Sequence, residues 1–182
     1  SSTKIDSNRM ELHLEDIDLT RLIKNSMGTF TNEAQEKGLT LKFHEPQEQI
    51  IVYADGVRLA EVLDNFVSNA IKYTEKGEIN IKTTSDQTMA NVFVQDTGRG
   101  IPKEEIQKLG QKFYRINQYI NEKAGQVVRP GGTGLGLYVA FGLINLMGGT
   151  YKIESELNEG STFSFTIPIY KQQVKKNNNP IR

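Results

Sequence analysis

Gly131-Gly132-Thr133-Gly134-Leu135-Gly136-Leu137 is the stretch around which the chain is organised, because its glycines lead directly into the apolar run Tyr138 to Met147. Glycine lacks a Cβ and so lets a ligand or another backbone approach closely. The run that follows is long enough for a helix and apolar on nearly all sides, which predicts a buried helix. A glycine-rich loop before a helix N-terminus is a ready site for an anion such as phosphate. A flexible turn before a core helix is the competing interpretation.

Composition excludes several classes of function. The chain has 182 residues, enough for one domain with a proper core, and its 22 Lys and Arg balance its 22 Asp and Glu. A net charge of zero argues against a nucleic-acid-binding protein. The absence of cysteine excludes disulfides and thiolate metal sites, and two histidines make a zinc site unfavourable. No apolar run approaches the ~20 residues that cross a bilayer, so we expect a soluble, cytoplasmic piece.

Hydrophobic periodicity divides the rest of the chain into strands and helices. A turn around Pro46 is expected to join the second and third strands, and the last two strands are expected to form a hairpin. Helices are predicted from Asp18 to Gly38, Asp55 to about Thr74, Pro102 to Leu109 and Tyr138 to Met147. Strands are predicted over Met10 to Leu14, Leu39 to Phe43, Ile50 to Tyr53, Ile79 to Thr83, Ala90 to Gln95, Tyr151 to Ser155 and Thr162 to Ile169.

The second predicted helix carries a polar stripe of Glu61, Asn65, Asn69 and Lys72, spaced four, four and three residues apart. Residues at these spacings share one helix face. Asparagine is a poor residue for a helix interior, so two of them beside an apolar stripe need a reason. A solvated face is one explanation. The other is a row of amide oxygens for Mg2+, with Lys72 for the anionic charge of a phosphate substrate.

Asp96-Thr97-Gly98-Arg99-Gly100-Ile101-Pro102 follows the fifth predicted strand. An acid at a strand end before two spaced glycines is typical of a binding loop, although the carboxylate could simply cap a turn. Further on, Phe113-Tyr114-Arg115 precedes a polar stretch, Ile116 to Pro130, that has no periodicity. Long patternless loops in compact domains are usually functional lids or disordered segments, and we expect 103–130 to be a mobile lid.

These features match neither a Walker A loop, nor a dinucleotide-binding unit, nor the protein-kinase motifs. In their order they resemble the ATP-binding catalytic domain of sensor histidine kinases, in the ATPase group shared with gyrase, Hsp90 and mismatch-repair proteins. The resemblance covers about Met10 to Tyr170. It rests on four motifs: an N box at Asn65 to Thr74, a G1 box at Asp96 to Ile101, an F box at Lys112 to Arg115 and a G2 box at Gly132 to Leu137.

The resemblance implies an α+β fold of the Bergerat type. This is a two-layer α/β sandwich in which about three helices cover one face of a mixed β-sheet, with ATP between the helices and a mobile lid. It also implies two cofactors, ATP and Mg2+. The implied catalytic residues are Asn65, Lys72 and Arg115, and the implied metal ligands are Asn65 and Asn69. The implied ATP-binding residues are Asn69, Lys72, Tyr73, Asp96, Gly98, Gly100, Ile101, Phe113, Gly132, Thr133, Gly134, Leu135, Gly136 and Leu137.

The resemblance further assigns roles to these residues. Asp96 would accept a hydrogen bond from the adenine amino group, with Gly98 and Gly100 allowing the base to approach. Lys72 and Tyr73 would contact phosphates, and Arg115 would reach the terminal phosphate when the lid closes. The backbone amides from Gly132 to Gly136 would hold the phosphate chain.

Asn65 distinguishes phosphoryl transfer from hydrolysis. In the hydrolysing members of the group a glutamate stands at this position and activates water, whereas an amide cannot act as a general base. The sequence therefore favours transfer to an acceptor. Glu61, one turn earlier, could compete for the base role, but we expect it to form an exposed ion pair.

The family's phosphoacceptor histidine lies on a dimerising helical hairpin, and neither His13 nor His44 has that sequence context. We expect 1–9 to be a remnant of the hairpin, 10–170 to be the catalytic domain and 171–182 to be a polar tail or linker. The expected partners are ATP or ADP, the hairpin of the parent kinase and a downstream response regulator. We expect no nucleic acid and no membrane span, and a monomeric piece of a homodimeric parent that is either free or membrane-anchored.

Two further functions stay open at this point. One is an anti-sigma-type serine kinase of the same ATPase group. The other is a nucleotide-binding sensor or scaffold without catalysis.

Overall fold

The structure is a computed structural model that describes residues 11–109, 119–121, 126–128 and 135–169. Its helices are α1 (Leu19–Glu36), α2 (Gly56–Tyr73), α3 (Lys103–Ile106) and α4 (Leu135–Leu146). Its strands are β1 (Glu15–Asp18), β2 (Thr40–His44), β3 (Ile51–Ala54), β4 (Glu78–Ser85), β5 (Met89–Asp96), β6 (Tyr119–Asn121), β7 (Gln126–Val128), β8 (Tyr151–Glu156) and β9 (Gly160–Pro168).

Five strands form the main sheet, in the order β2-β4-β5-β9-β8. The β2–β4 pair is parallel and the other three pairs are antiparallel, so the sheet is mixed, as expected. In β5 the alternate residues Ala90, Val92, Val94 and Asp96 are buried. Because side chains of a strand point alternately to its two faces, one face of the sheet is covered and Asp96 lies on that face.

Aspartate caps begin the two long helices where the sequence predicts them. The Asp18 side chain accepts a hydrogen bond from the Arg21 backbone N–H at 3.3 Å, and the Asp55 side chain accepts one from the Arg58 N–H at 3.2 Å. Such caps satisfy backbone donors that have no partner inside the helix. Gly38, just after α1, has a φ of 77°, which is the conformation expected of a glycine that ends a helix.

Phe66 of α2 joins the helices to the sheet. Its ring lies 6.0 Å from that of Phe141 in α4, and 5.8 and 5.3 Å from those of Phe163 and Phe165 in β9, centroid to centroid. All three contacts are edge-to-face, a preferred geometry for aromatic pairs. Phe66 is 1% exposed. This cluster therefore fixes α2 and α4 against the same strand.

Two sequence predictions are wrong in detail. The strand predicted over Met10 to Leu14 lies instead at Glu15–Asp18, because the His13 N–H is bound by the Asp55 carboxylate at 3.0 Å rather than by a neighbouring strand. The predicted second and third strands are present as β2 and β3, which pair with β4 and β1 respectively and not with each other. The stretch predicted to be without pattern contains the antiparallel pair β6–β7.

Candidate functional site

The polar stripe of α2 lies at the edge of the core. Glu61, Asn65 and Asn69 are half-buried, whereas Lys72 is exposed. Their neighbours Val62, Phe66 and Ala70 are buried, and this buried face fixes the orientation of α2 about its own axis. The stripe is therefore held at the boundary between protein and solvent, where a bound ligand can reach the amide groups.

Asn65 faces the beginning of α4. Its Nδ2 donates to the Glu61 carbonyl one turn earlier, at 3.0 Å, which directs Oδ1 away from the helix backbone. A Cβ at Gly136 would lie only 2.6 Å from that Oδ1. The predicted cation-binding amide of α2 and the glycine-rich start of α4 are thus neighbours, although 71 positions separate them in the chain.

Glu61 is engaged elsewhere. Its carboxylate forms an ion pair with Arg58 at 3.2 Å, with a third of the Glu61 side chain exposed. The expectation that Glu61 is an ion-pair former is confirmed, although the side chain is half-buried rather than fully exposed.

Asp96 is buried at the end of β5, with 5% of its surface exposed. Its Oδ1 accepts from the Gly98 N–H at 2.9 Å and from the Ser161 N–H at 3.2 Å. Burial raises the pKa of the Asp96 carboxyl above its ordinary value, and the two backbone donors only partly oppose that effect. Within the described ranges both hydrogen bonds end on Oδ1, so Oδ2 can accept from a ligand.

Close protein contacts account for both glycines after Asp96. A Cβ at Gly98 would lie 2.7 Å from the Tyr73 carbonyl oxygen, and a Cβ at Gly100 would overlap the Glu156 carbonyl. Gly100 also has a φ of 77°, which side chains other than glycine rarely adopt. Their proposed role in letting a base approach stays a prediction, because packing alone requires glycine at both positions.

Ser161 belongs to this site, and the sequence interpretation missed it. Its N–H binds Asp96, and its hydroxyl lies 2.8 Å from the Ser155 hydroxyl, which accepts from the Ile101 N–H at 2.7 Å. These bonds tie the Asp96 loop to the β8–β9 hairpin. No local pattern marks Ser161, since the contact joins residues 65 positions apart.

Lys37 is a second contact that the sequence did not indicate. Its ammonium donates to the carbonyl oxygens of Ile71 at 2.7 Å and Lys72 at 3.0 Å, at the C-terminal end of α2. A cation there satisfies carbonyls that have no partner within the helix. Desolvation lowers the pKa of Lys37, against the opposing effect of Glu75 and Glu33. The residue holds the turn that carries Lys72 and Tyr73.

The remaining predicted site residues fall into two groups. Ile101 is buried, and Leu137 is half-buried against the core. Leu135 is the first residue of α4. The others lie outside the described residues: Phe113, Arg115, Gly132, Thr133 and Gly134.

The donor set fits magnesium better than a transition metal. In the part of the chain that the structure describes, no three His, Cys, Asp or Glu side chains converge on a point. The groups available are the Asn65 and Asn69 amides, and within the same ranges no protein group binds the Asn69 side chain. Amide oxygens suit a cation that takes its other ligands from water and substrate phosphates.

The histidines lie away from this site. His44 is exposed at the end of β2, where its Nε2 lies 2.8 Å from Asn80 Oδ1, and His13 is exposed in the segment before β1. Both are surface residues, as expected. Neither stands on a helix.

The fold is that of an α+β domain, and the candidate nucleotide site lies between α2, α4 and the end of β5. Residues 54–171 match the family described as histidine kinase-, DNA gyrase B- and HSP90-like ATPases. The chain belongs to this family.

The chain is similar in sequence to a signal transduction histidine kinase and to a bacterial sensor protein. The chain is 37% identical over 172 residues to hybrid signal transduction histidine kinase B of Dictyostelium discoideum, covering 91% of this chain and 8% of that protein. It is 32% identical to the aerobic respiration control sensor protein ArcB of Escherichia coli, covering 90% of this chain and 21% of that protein. The chain thus spans less than a quarter of these two relatives.

Solved structures agree with the sequence comparison. The catalytic domain of histidine kinase ThkA is 30% identical with a TM-score of 0.73, over 86% of this chain and 96% of that one. Full-length ShkA in complex with AMPPNP is 27% identical with a TM-score of 0.78, over 92% of this chain and 34% of that one. Among the described residues, no helix has the length and apolar character needed to cross a membrane.

Proposed function

We propose that this chain is the ATP-binding catalytic domain of a sensor histidine kinase. With Mg2+ it binds ATP and presents the γ-phosphate to a histidine on a helical hairpin. The observation that carries the proposal is the approach of Gly136 to Asn65, with the buried carboxylate of Asp96 at the end of the neighbouring strand β5. The family membership and the likeness to kinase catalytic domains support the same conclusion.

The base and the phosphates of the nucleotide contact different residues of the site. Asp96 accepts from the amino group of the base through the oxygen that Gly98 and Ser161 leave available. Asn65 and Asn69 hold magnesium, which neutralises phosphate charge when it is bound. Lys72 and Tyr73 contact the phosphates, and the start of α4 from Gly132 to Gly136 supplies backbone N–H groups to them. Phosphoryl transfer depends chiefly on such positioning and charge neutralisation.

The surroundings of Asn65 support transfer rather than hydrolysis. An amide does not take a proton from water, and the nearest carboxylate on this helix face, Glu61, is held by Arg58 at 3.2 Å. Water is therefore a poor acceptor. A histidine ring nitrogen needs no such base, because its lone pair attacks phosphorus directly as ADP leaves.

The phosphoryl acceptor is neither of the two histidines of this chain. His13 lies in an irregular segment and His44 at a strand end, so neither is presented on a helical hairpin. The partners are then the hairpin and a response regulator that receives the phosphoryl group from it. Arg115 contacts the terminal phosphate when the lid closes, and Phe113 contacts ATP.

The test follows the γ-phosphate after labelled Mg-ATP is mixed with the chain and a separately made histidine hairpin. We expect label on the hairpin to exceed released phosphate, and Asn69→Ala to remove the transfer while ADP still binds. Rapid phosphate release without labelled hairpin would contradict the proposal.

Two other outcomes would favour other functions. Tight ATP binding with neither product would identify a sensor or scaffold module. Acid-stable label on serine of a supplied protein would identify an anti-sigma-type kinase. Both alternatives predict an intact nucleotide site, so the fate of the phosphate, rather than its binding, separates them.

A further inference from the structure

Three neighbouring strands place Asp96, Ser161 and Ser155 in one row across the main sheet. Asp96 of β5 pairs with Ser161 of β9, and Ser161 pairs with Ser155 of β8. Residues that pair directly in antiparallel strands point to the same face of the sheet, so all three side chains lie on the face that carries the candidate site. The row ends at Ser155, because β8 is the last strand of this sheet.

The Ser155 hydroxyl joins two backbone segments that flank Asp96. It accepts a hydrogen bond from the Ile101 N–H at 2.7 Å and donates one to the Gly160 carbonyl at 3.0 Å. Ile101 is buried and ends the loop that begins at Asp96. Gly160 packs on Asp96 itself, since a Cβ at Gly160 would overlap the Asp96 carbonyl. One side chain of β8 therefore holds the far end of the Asp96 loop to the strand that supports its beginning.

The Ser155 hydroxyl uses its full hydrogen-bonding capacity in this network. A serine hydroxyl has one proton and two lone pairs. In the arrangement that satisfies every group, Ser155 gives its proton to the Gly160 carbonyl and accepts from the Ile101 N–H. Its second lone pair then accepts from the Ser161 hydroxyl, 2.8 Å away. A methyl group in place of this hydroxyl would remove three hydrogen bonds at once.

No second acceptor holds the end of the loop. Among the described residues, the Ile101 N–H binds the Ser155 hydroxyl and no backbone carbonyl. If this bond is lost, the loop can shift, and the Gly98 N–H that binds Asp96 Oδ1 at 2.9 Å shifts with it. The Asp96 carboxylate then loses a donor that fixes its orientation. Its other oxygen, Oδ2, is no longer held in one direction toward a ligand.

We propose that Ser155 is a positioning residue for recognition of the base, whose hydroxyl holds the 97–101 loop so that the Asp96 carboxylate meets the amino group of adenine. This inference rests on the proposed function, because it places the base of ATP at Asp96. Ser155 acts through Asp96 and does not itself contact the nucleotide. Loss of its hydroxyl therefore removes binding that depends on the amino group and leaves the rest of the nucleotide's contacts unchanged.

The test compares two substitutions of the same shape. Ser155→Thr keeps the hydroxyl, whereas Ser155→Val places a methyl group there that also excludes water, and both residues suit a β-strand. The two ligands are ATP and purine riboside triphosphate, which lacks the amino group. By calorimetry, Ser155→Val should bind ATP roughly fivefold more weakly, as expected for one hydrogen bond, and purine riboside triphosphate as the wild type does. Ser155→Thr should keep both wild-type affinities.

A double substitution tests whether Ser155 acts through Asp96. The amide of Asp96→Asn does not present the same acceptor to the amino group, so Ser155→Val should cause no further loss of ATP affinity in that background. Thr162→Val is the matched control. It also exchanges a hydroxyl for a methyl group, but Thr162 follows Ser161 on β9 and so points to the opposite face of the sheet. It should change neither affinity.

Several outcomes would overturn the proposal. An equal loss of affinity for both nucleotides in Ser155→Val would mean that the hydroxyl only supports the fold. Unchanged affinity for both, or the same loss in Ser155→Thr as in Ser155→Val, would also contradict it. Ser155→Ala, which adds no volume, gives the same comparison with the same expected direction if Ser155→Val does not fold.

The wild type separates this inference from the function on which it rests. A wild-type preference for ATP over purine riboside triphosphate that Ser155→Val retains would contradict only the role of Ser155. Failure of the wild type to bind either nucleotide would instead contradict the proposed function.

Discussion

Asn65 of α2 and Gly136 of α4 are so close that a Cβ at position 136 would lie 2.6 Å from the Asn65 side-chain oxygen. Two motifs that are distant in the chain therefore meet as one site. Because Gly136 has no Cβ, it leaves space for the Asn65 amide. A side chain at position 136 would therefore displace the Asn65 amide.

Gly136→Ala should inactivate the site without unfolding the domain. The new methyl group displaces the end of the Asn65 side chain, while alanine suits a helix better than glycine. We expect an unchanged or raised melting temperature together with a loss of magnesium-dependent ATP binding, measured by calorimetry. Gly28→Ala in α1 is the matched control, because nothing lies within 4 Å of its Cβ position. It should stabilise the protein by about 0.5–1 kcal/mol and leave binding unchanged. Normal binding by Gly136→Ala would count against the Asn65 assignment.

Asp96→Asn should weaken ATP and ADP binding by roughly ten- to a hundredfold in a folded protein. The retained Oδ1 can still accept from the Gly98 and Ser161 N–H groups, so the loop keeps its hydrogen bonds. The new amide N–H2 faces the amino group of the base, and this unmatched pair of donors costs about 1–3 kcal/mol. Calorimetry tests the loss, and Glu154→Gln, at an exposed acid on β8, controls for the change of charge. Unchanged nucleotide affinity would contradict the assignment of Asp96 as the residue that binds the base.

Acidification should weaken recognition of the base at a pH above the ordinary aspartate range. The pKa of Asp96 is raised by burial, so its carboxylate is protonated at a higher pH than the usual value of about 3.9. Only the ionised form accepts at both oxygens. Purine riboside triphosphate lacks the amino group but shares the titration of the phosphates with ATP, so the ratio of the two affinities isolates the effect at the base. This preference for ATP should decrease as the pH is lowered. A ratio independent of pH would exclude the carboxylate.

The same raised pKa has a consequence for stability, with a definite sign. The folded state binds the Asp96 proton more tightly than the unfolded state, so this group stabilises the fold most at low pH. Its contribution is lost as pH rises from the unfolded value through the folded one. Asp96→Asn should remove that slope from the pH dependence of the free energy of unfolding.

Lys37→Met should destabilise the C-terminal end of α2. The substitution removes the ammonium bound to the carbonyls of Ile71 and Lys72. Because Lys37 is largely exposed, we expect a loss of only about 1 kcal/mol in urea unfolding, with faster hydrogen exchange in the last turn of α2. Lys24→Met, which removes an exposed ion pair with Glu45, should be close to neutral. Equal effects of the two substitutions would contradict a specific role for Lys37.

Local signals account for what could be predicted from sequence. Asp18 and Asp55 cap helices at the predicted residues because capping depends on the next three residues alone. The alternation of β9 likewise predicts its buried face. Contacts between distant segments could not be predicted in this way. The Ser161 N–H meets Asp96 only because β9 pairs with β5, and Lys37 reaches α2 only after α1 docks on it.

The errors have the same origin. The alternation over Met10 to Leu14 satisfies the strand pattern, but pattern alone does not supply a partner strand, and the Asp55 cap takes the His13 N–H instead. The glycines after Asp96 also show the limit of local analysis. Their spacing indicates a ligand-binding loop, whereas the structure adds protein carbonyls at Tyr73 and Glu156 that require glycine by themselves.

The most direct test of the central claim is the chemical identity of the phosphorylated residue after the chain, Mg-ATP and a histidine hairpin are incubated together. The account predicts label on the hairpin that is stable to base, labile to acid and absent when the hairpin histidine is replaced by alanine. It also predicts no label on the chain itself, because neither His13 nor His44 is presented on a helix. Acid-stable label on the chain or the hairpin, independent of that histidine, would contradict a protein-histidine kinase.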